Sequence, residues 1–382
     1  MSEYQLEIKQ IVDYPRCRIY RQFIRTLMED RSIRASGGSG LFHYAVLCSY
    51  ANFRTSYRRP DGVNYTIYPG EWVCRLSELR GWFQVHFQYQ ATAILDKLQK
   101  QHLITYSVLG RGNIIKFRIK GWRRHNTVLE YNAPCQKDSG FFFIPVATAT
   151  DIISMGKCSE MDCLLDLWIN TVYNDGQVQG SEVGPVVYMR NGTGNPLVAY
   201  SELAERWGLS KATVGRFLKR LKELGHISLM TFPGNKGSAI YLQSYLSTMF
   251  QISDILVDKE EVAMALSIKI SPPEGQPADA EPDTKPSQAC GSKKGFRVSK
   301  THMDFIVQKI AQILAAQGIS CLSCPKSQCK LYPLSDDCMG IVQGAASSAR
   351  SCFLLCVSCG NAEVFRFELK LTPSYQQLQE EK

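Results

Sequence analysis

WGLSKATVGRFLKR, residues 207–220, decides how the rest of this 382-residue chain is read. Gly208 can adopt the left-handed conformation that ends a helix and turns the chain sharply. Leu209 plugs that turn, and Ser210 caps the helix that follows. Upstream, Ser201 reads as an N-cap with Glu202 in the first turn, and Leu203, Ala204 and Trp207 supply an apolar face. Downstream, Val214, Phe217, Leu218, Leu221 and Leu224 recur at helical spacing. Lys211, Thr213, Arg216, Lys219 and Arg220 lie mostly off that stripe, with Thr213, Arg216 and Arg220 spaced to share the outer face.

A solvated surface helix shows the same interleaving of charge and apolar residues. The neighbourhood separates the two readings. A capped turn precedes the helix, and "ISLMTFPGNKGSAIYL" (227–242) follows it as two alternating strands around a Gly/Asn turn. Helix, strand, helix-turn-helix and wing is the order of a winged-helix domain. On that reading the N-terminal residues of the second helix meet base edges, and its later basic residues hold phosphates. Lys236, at the tip of "PGNKG", is placed where a wing meets the backbone or the minor groove.

The same pattern occurs earlier in the chain. "GEWVCRLSEL" (70–79) aligns with "GNPLVAYSEL" (194–203), Gly70 on Gly194 and Ser77-Glu78-Leu79 on Ser201-Glu202-Leu203. At nearly the same shift "GLFHYAVLCSYANF" (40–53) falls near "DCLLDLWINTVYND" (162–175), and "ATAILDKLQKQHLI" (91–104) matches "VGRFLKRLKELGHI" (214–227). Nearly one register over three elements marks two copies of one domain. The first copy is poorer in DNA-reading groups. It offers Phe87, Gln88, Gln90, Ala93 and Lys97 where the second has Ser210, Lys211, Thr213, Arg216 and Arg220. Gln88 and Gln90 could pair with adenine, Lys97 could hold phosphate, and Arg111 in "LGRGN" is a wing-tip contact. Phe83, Phe87 and Tyr89 equally suit a face that packs on protein. "KGWRRHN" (120–126) reads equally as a phosphate patch or a solvated connection.

The segment "SELAERWGLSKATVGRFLKRLKELGHI" with its wing resembles the winged helix-turn-helix DNA-binding proteins, among them MarR-type regulators. Together with "GFFFIPVATATDIISMGKCSEMDCLLDLWINTVY" (140–173) it is also similar to the N-terminal domain of Gram-positive plasmid replication initiators. The resemblance covers about residues 140–245, more loosely 15–120, and not the tail. Length, tandem duplication and the lack of evident flanking dimerisation helices depart from a MarR regulator. The likeness implies double-stranded DNA as partner, and either transcription regulation or replication initiation on a mobile genetic element.

"SPPEGQPADAEPDTKPSQACGSKKG" (271–295) is rich in Pro, Ala, Gly and charge and reads as a linker. Beyond it, seven of the 14 cysteines crowd one region. "CLSC" (Cys321, Cys324) and "CVSCG" (Cys356, Cys359) have the spacing of two zinc knuckles, each delivering two thiolates from one tight loop. "SCFLLC" and "VFRFELKL" read as the strands of a ribbon around a structural Zn2+. Cys329, Cys338 and Cys352 are left over; thiol exchange is the rival use of C-x-x-C but lacks a βαβ context. "HMDFIVQKIAQILAAQG" (302–318) is an apolar-striped helix for the ribbon or a protein partner.

The expected architecture is therefore α+β. It has two tandem winged helix-turn-helix domains (1–126 and 127–270), a linker (271–299) and a cysteine-rich zinc-ribbon-like domain (300–382). The net charge of +9 and pI near 8.8 lean mildly toward a polyanionic partner. No stretch is apolar enough for a membrane span, and the start lacks a signal-peptide pattern, so a cytoplasmic protein is expected. In that compartment the scattered cysteines read as small buried residues and not disulfides. No phosphate-loop, zinc-protease or nucleophile-elbow motif is present, and the six histidines stand singly, so no enzyme is expected. A homodimer and a zinc-containing protein-interaction adaptor remain open alternatives.

Overall fold

The computed structural model describes residues 4–12, 14–35, 40–110, 112–126, 140–234, 236–250, 257–266, 268, 327–334, 351–359 and 363–373. These residues are α+β, with short helices and small antiparallel sheets. β1 (Tyr4–Ile11) opens the chain. The first copy then runs β2 (Arg16–Tyr20), α1 (Arg21–Glu29), α2 (Leu41–Tyr50), β3 (Ser56–Arg58), β4 (Tyr65–Ile67), β5 (Glu71–Arg75), α3 (Leu76–Trp82), α4 (Gln88–Lys100), β6 (Ile104–Leu109), β7 (Ile114–Ile119) and α5 (Trp122–Asn126). The second runs β8 (Phe141–Pro145), α6 (Val146–Ser154), α7 (Glu160–Ile169), β9 (Thr171–Val172), β10 (Val186–Val187), α8 (Tyr200–Trp207), α9 (Lys211–Glu223), β11 (Ile227–Phe232), β12 (Gly237–Leu242) and α10 (Tyr245–Phe250). After them come α11 (Lys259–Ala265), β13 (Ser327–Pro333), β14 (Ser351–Cys359) and β15 (Glu363–Pro373).

The helices and hairpins of the repeat read from sequence are present in both copies, and its aligned residues have structural reasons. Gly70 and Gly194 both have positive φ, 83° and 72°. A Cβ at Gly70 would meet the Trp122 side chain at 2.6 Å, and one at Gly194 the Gln177 carbonyl at 2.6 Å. Glu78 and Glu202 each turn back on the start of their own helix, accepting from the backbone N–H of Arg75 (2.7 Å) and Ala199 (2.8 Å). This is the acidic half of a capping box. The N-cap of α8 is thus Ala199 and not Ser201, which sits one residue inside the helix. Leu79 and Leu203 are buried beneath.

The two copies do not fold as separate domains. β2 and β8 pair antiparallel, Arg16 opposite Pro145 through to Tyr20 opposite Phe141. The central pair, Arg18 and Phe143, is the third residue of each strand, so the ladder relates the copies by a local two-fold. Ile19, Phe142 and Ile144 face the core, while Arg16 and Arg18 lie over the Phe143 and Phe141 rings at 3.9 and 4.7 Å. α2 packs on its counterpart α7. Asp162 accepts from the N–H of Ser159 at its own helix start (3.1 Å) and from that of Phe42 at the start of α2 (2.9 Å). One carboxylate thus serves the positive ends of two helices. A single apolar cluster runs from Ile19 and Leu41 through Phe142 and Leu165 to Trp207 and Leu218.

The copies diverge at their sheets. In the first, β5-β7-β6 forms a three-stranded sheet. In the second, the counterpart of β5 shrinks to a bridge between Val198 and Ser238, and β10 and β9 extend the hairpin instead.

A separate sheet, in the order β1-β15-β14-β13, joins the two ends of the chain. Tyr4 pairs opposite Pro373 and Ile11 opposite Arg366. The described residues before Asp13 group with those of the tail, and Tyr14–Asn126 with the second copy, whereas the sequence reading sets 1–126 apart as one domain. Phe353, Leu355, Val357, Phe367 and Leu369 are buried on one face of this sheet. The strands expected from "SCFLLC" and "VFRFELKL" are there; the linker 271–295 and the helix expected over 302–318 lie outside the described residues. Among the described residues no helix is long and apolar enough to cross a membrane.

Candidate nucleic-acid interface

α8 ends at Gly208 in the left-handed conformation (φ 61°), as its position before the turn requires. Ser210 caps α9, its Oγ accepting from the Thr213 N–H at 3.2 Å. Val214, Leu218 and Leu221 are buried beneath α9. On the outer side Lys211, Arg216 and Lys219 are exposed and Thr213 is half-buried. Arg216 Nη2 donates to Thr213 Oγ1 at 3.2 Å, which lays the guanidinium along the N-terminal half of the helix. Lys219 reaches toward Glu223, at 3.8 Å. Lys236 is exposed at the tip of the β11–β12 hairpin.

Arg220 departs from this group. It donates to the Ser32 carbonyl and stands 3.6 Å from the buried Glu160 carboxylate. Sequence spacing places it on the outer face, but the Asp30–Arg34 segment, remote in sequence, covers that end of the helix. The same segment is tied down elsewhere: Arg34 N–H donates to Glu160 Oε2 (3.2 Å) and Met161 N–H to the Arg34 carbonyl (3.0 Å). Arg220 is thereby a structural tie.

Behind α8 lies the most deeply buried charge of this unit. Asp166 is fully buried; its carboxylate accepts from Arg206 Nε (2.6 Å) and Nη2 (2.7 Å), Trp207 Nε1 (2.8 Å) and Asn170 Nδ2 (3.1 Å). Burial lowers the Arg206 pKa, but the bidentate carboxylate outweighs burial and leaves it above its ordinary value. This network fixes α8, and with it the turn into α9, against α7.

In the first copy, Gln88 is exposed at the first turn of α4 and Lys97 is half-buried. Gln90 is occupied: its Oε1 accepts from the N–H groups of His86 (3.1 Å) and Phe87 (3.0 Å). With no hydroxyl at Phe87 to cap α4, the side chain at N3 does it alone, which removes the Gln90 carbonyl from base pairing with adenine. Arg111 lies outside the described residues. The counterpart of Gly208 is Gln84, also left-handed (φ 56°). Its side-chain amide donates to the carbonyls of Leu27, Met28 and Asp30 at 3.0–3.2 Å, which holds the strained backbone in place.

Of the expected zinc ligands, Cys321 and Cys324 lie outside the described residues. Cys356 and Cys359 fall within β14, paired with Lys330 and Ser327 of β13. Among the described residues no group of three or more His, Cys, Asp or Glu side chains is placed to hold a metal. Cys17, Cys48, Cys74, Cys158 and Cys163 are buried. Burial pushes the Cys17 and Cys48 thiols up to about 12, which leaves them unreactive.

Comparison with protein-family models, with curated proteins and with solved structures gave no match.

Proposed function

We propose that this chain is a sequence-specific double-stranded DNA-binding protein built on two winged helix-turn-helix copies, and that it acts as a transcriptional regulator. The observation that carries the reading is α9: a capped helix after a left-handed turn, presenting Lys211, Thr213, Arg216 and Lys219 on its open side, with Lys236 on the hairpin beyond. Lys211, Thr213 and Arg216 have the placement that base contacts need, and Lys219 and Lys236 that of phosphate contacts. Arg216→Ala should lower specific affinity by ~1–3 kcal/mol and relax one base preference. Fluorescence anisotropy on a site obtained by binding selection measures both; an unchanged site preference would remove Arg216 as a base reader. A protein-interaction adaptor is distinguished by salt. About six phosphate contacts should weaken duplex binding by roughly 10³-fold between about 50 and 200 mM salt.

A second role, initiation of replication on a mobile element, is carried by the resemblance of residues 140–173 to plasmid replication initiators. The local two-fold at Arg18 and Phe143 relates the two copies within one chain, and they share one apolar cluster. Two-fold-related helices suit an inverted repeat, which one chain could read without a dimer. Origin repeats beside the gene would favour this role, and a palindrome at a divergent promoter the regulator.

A further inference from the structure

The turn between α3 and α4 differs from its counterpart in the second copy. It runs over residues 83–87 against 208–210, and it opens a cleft of about 500 Å³ lined by Arg31, Arg80, Gly81, Gln84, Val85 and His86. Arg31, Arg80 and His86 are exposed, and no carboxylate lines the cleft. Immediately after His86 the chain displays two bare rings. Phe87 is 58% and Tyr89 68% exposed, stacked on each other at 5.6 Å and 14°. The equivalent positions of the second copy carry Ser210 and Ala212. Neither ring supports the fold, since both sit outside the apolar cluster beneath α4. A parallel aromatic pair is a platform for a flat π-system, and the adjoining cations complement phosphate.

We propose that this turn binds an unpaired stretch of nucleic acid, a base stacking on the Phe87/Tyr89 pair while Arg31 and Arg80 hold the adjoining phosphates. A protein partner fits less well. Two rings offer area for one or two bases, whereas a stable protein interface needs about 800 Å² per partner. Base–aromatic stacking beside cations is the sequence-tolerant mode by which single strands are held. The site is distinct from α9, so the two readings can fail separately.

The test uses the full chain and labelled oligothymidine and oligouridine, with duplex DNA alongside. Exposed Phe87 and Tyr89 can be changed without disturbing the core. Phe87→Ala with Tyr89→Ala should weaken oligonucleotide binding roughly 10- to 100-fold and leave duplex affinity unchanged, while Arg216→Ala should do the reverse. Arg31→Ala with Arg80→Ala should lower the log–log salt slope by about 1.4. Phe87→Trp should retain binding, its fluorescence quenched on addition of oligonucleotide. The better-bound of the two oligomers identifies the strand as DNA or RNA. Three results would overturn the proposal: neither oligomer binding, equal binding by the alanine pair, or an alanine pair that abolishes self-association and spares oligonucleotide binding.

Discussion

Arg216 and Arg220 are one helical turn apart, both cationic and both off the apolar stripe, yet they do different work. Arg216 is open to solvent along α9, and Arg220 is drawn down to Ser32 and Glu160. Arg220→Ala should therefore destabilise the fold by about 1–3 kcal/mol, since it strips a charge-assisted bond and leaves Glu160 less compensated. It should change the preferred DNA sequence little. Denaturant unfolding and binding selection on the same variant separate these effects, and a shifted base preference without lost stability would reverse the assignment. A second residue gives a pH signature. Burial, with Arg124 and Arg16 nearby, lowers the His125 pKa from 6.5 to about 4. Its Nδ1 lies 2.6 Å from the Tyr14 hydroxyl. Between these values the unfolded chain takes up the proton and the folded chain does not, so this contribution to stability is present above 6.5 and is lost as pH falls toward 4. Replacing His125 with Gln should flatten the decline in Tm across that interval; an unaltered pH profile would refute it.

The turn between helices is the element on which both copies depend, and each makes it differently. The second uses Gly208, which adopts φ 61° at little cost. The first uses Gln84 at φ 56° and offsets the strain by sharing the two hydrogens of its side-chain amide among three carbonyls, at the end of α1 and the residue after it. Gln84→Ala loses the bonds and keeps the strain, and should cost on the order of 1–3 kcal/mol. Gln84→Gly loses the same bonds but relieves the backbone, and should cost less. Thermal unfolding of the two variants gives the order, and Gly worse than Ala would contradict it. Sequence reading found the Gly208 turn because glycine signals it. It missed the Gln84 turn, because only the carbonyls of α1 make a left-handed glutamine tolerable.

At the scale of the molecule, the copies are bound through the β2–β8 ladder and the packing of α2 on α7. Leu41 through Ser49 are all buried, and in a lone copy the face of α2 that meets α7 would be left bare. A fragment of residues 14–126 should consequently fail to fold cooperatively, while 14–250 should unfold in one transition. Circular dichroism and calorimetry on both fragments decide this, and a sharp transition in the short fragment would show that the copies are independent after all.

What the sequence alone determined is the local and the periodic. The duplication, the Gly208 turn between two helices with its Ser210 cap, the hairpin limits and the α+β class follow from spacing and turn chemistry, which act between near neighbours. Tertiary structure alone decided that the copies share one core, that β1 pairs with β15, that Arg220 is a tie and Gln90 a cap, and that Phe87 and Tyr89 stand bare beside a cationic cleft. Each of these depends on which distant segment arrives at a residue's side. Helical spacing says which way a side chain leaves the axis, and only the folded chain supplies what it meets there.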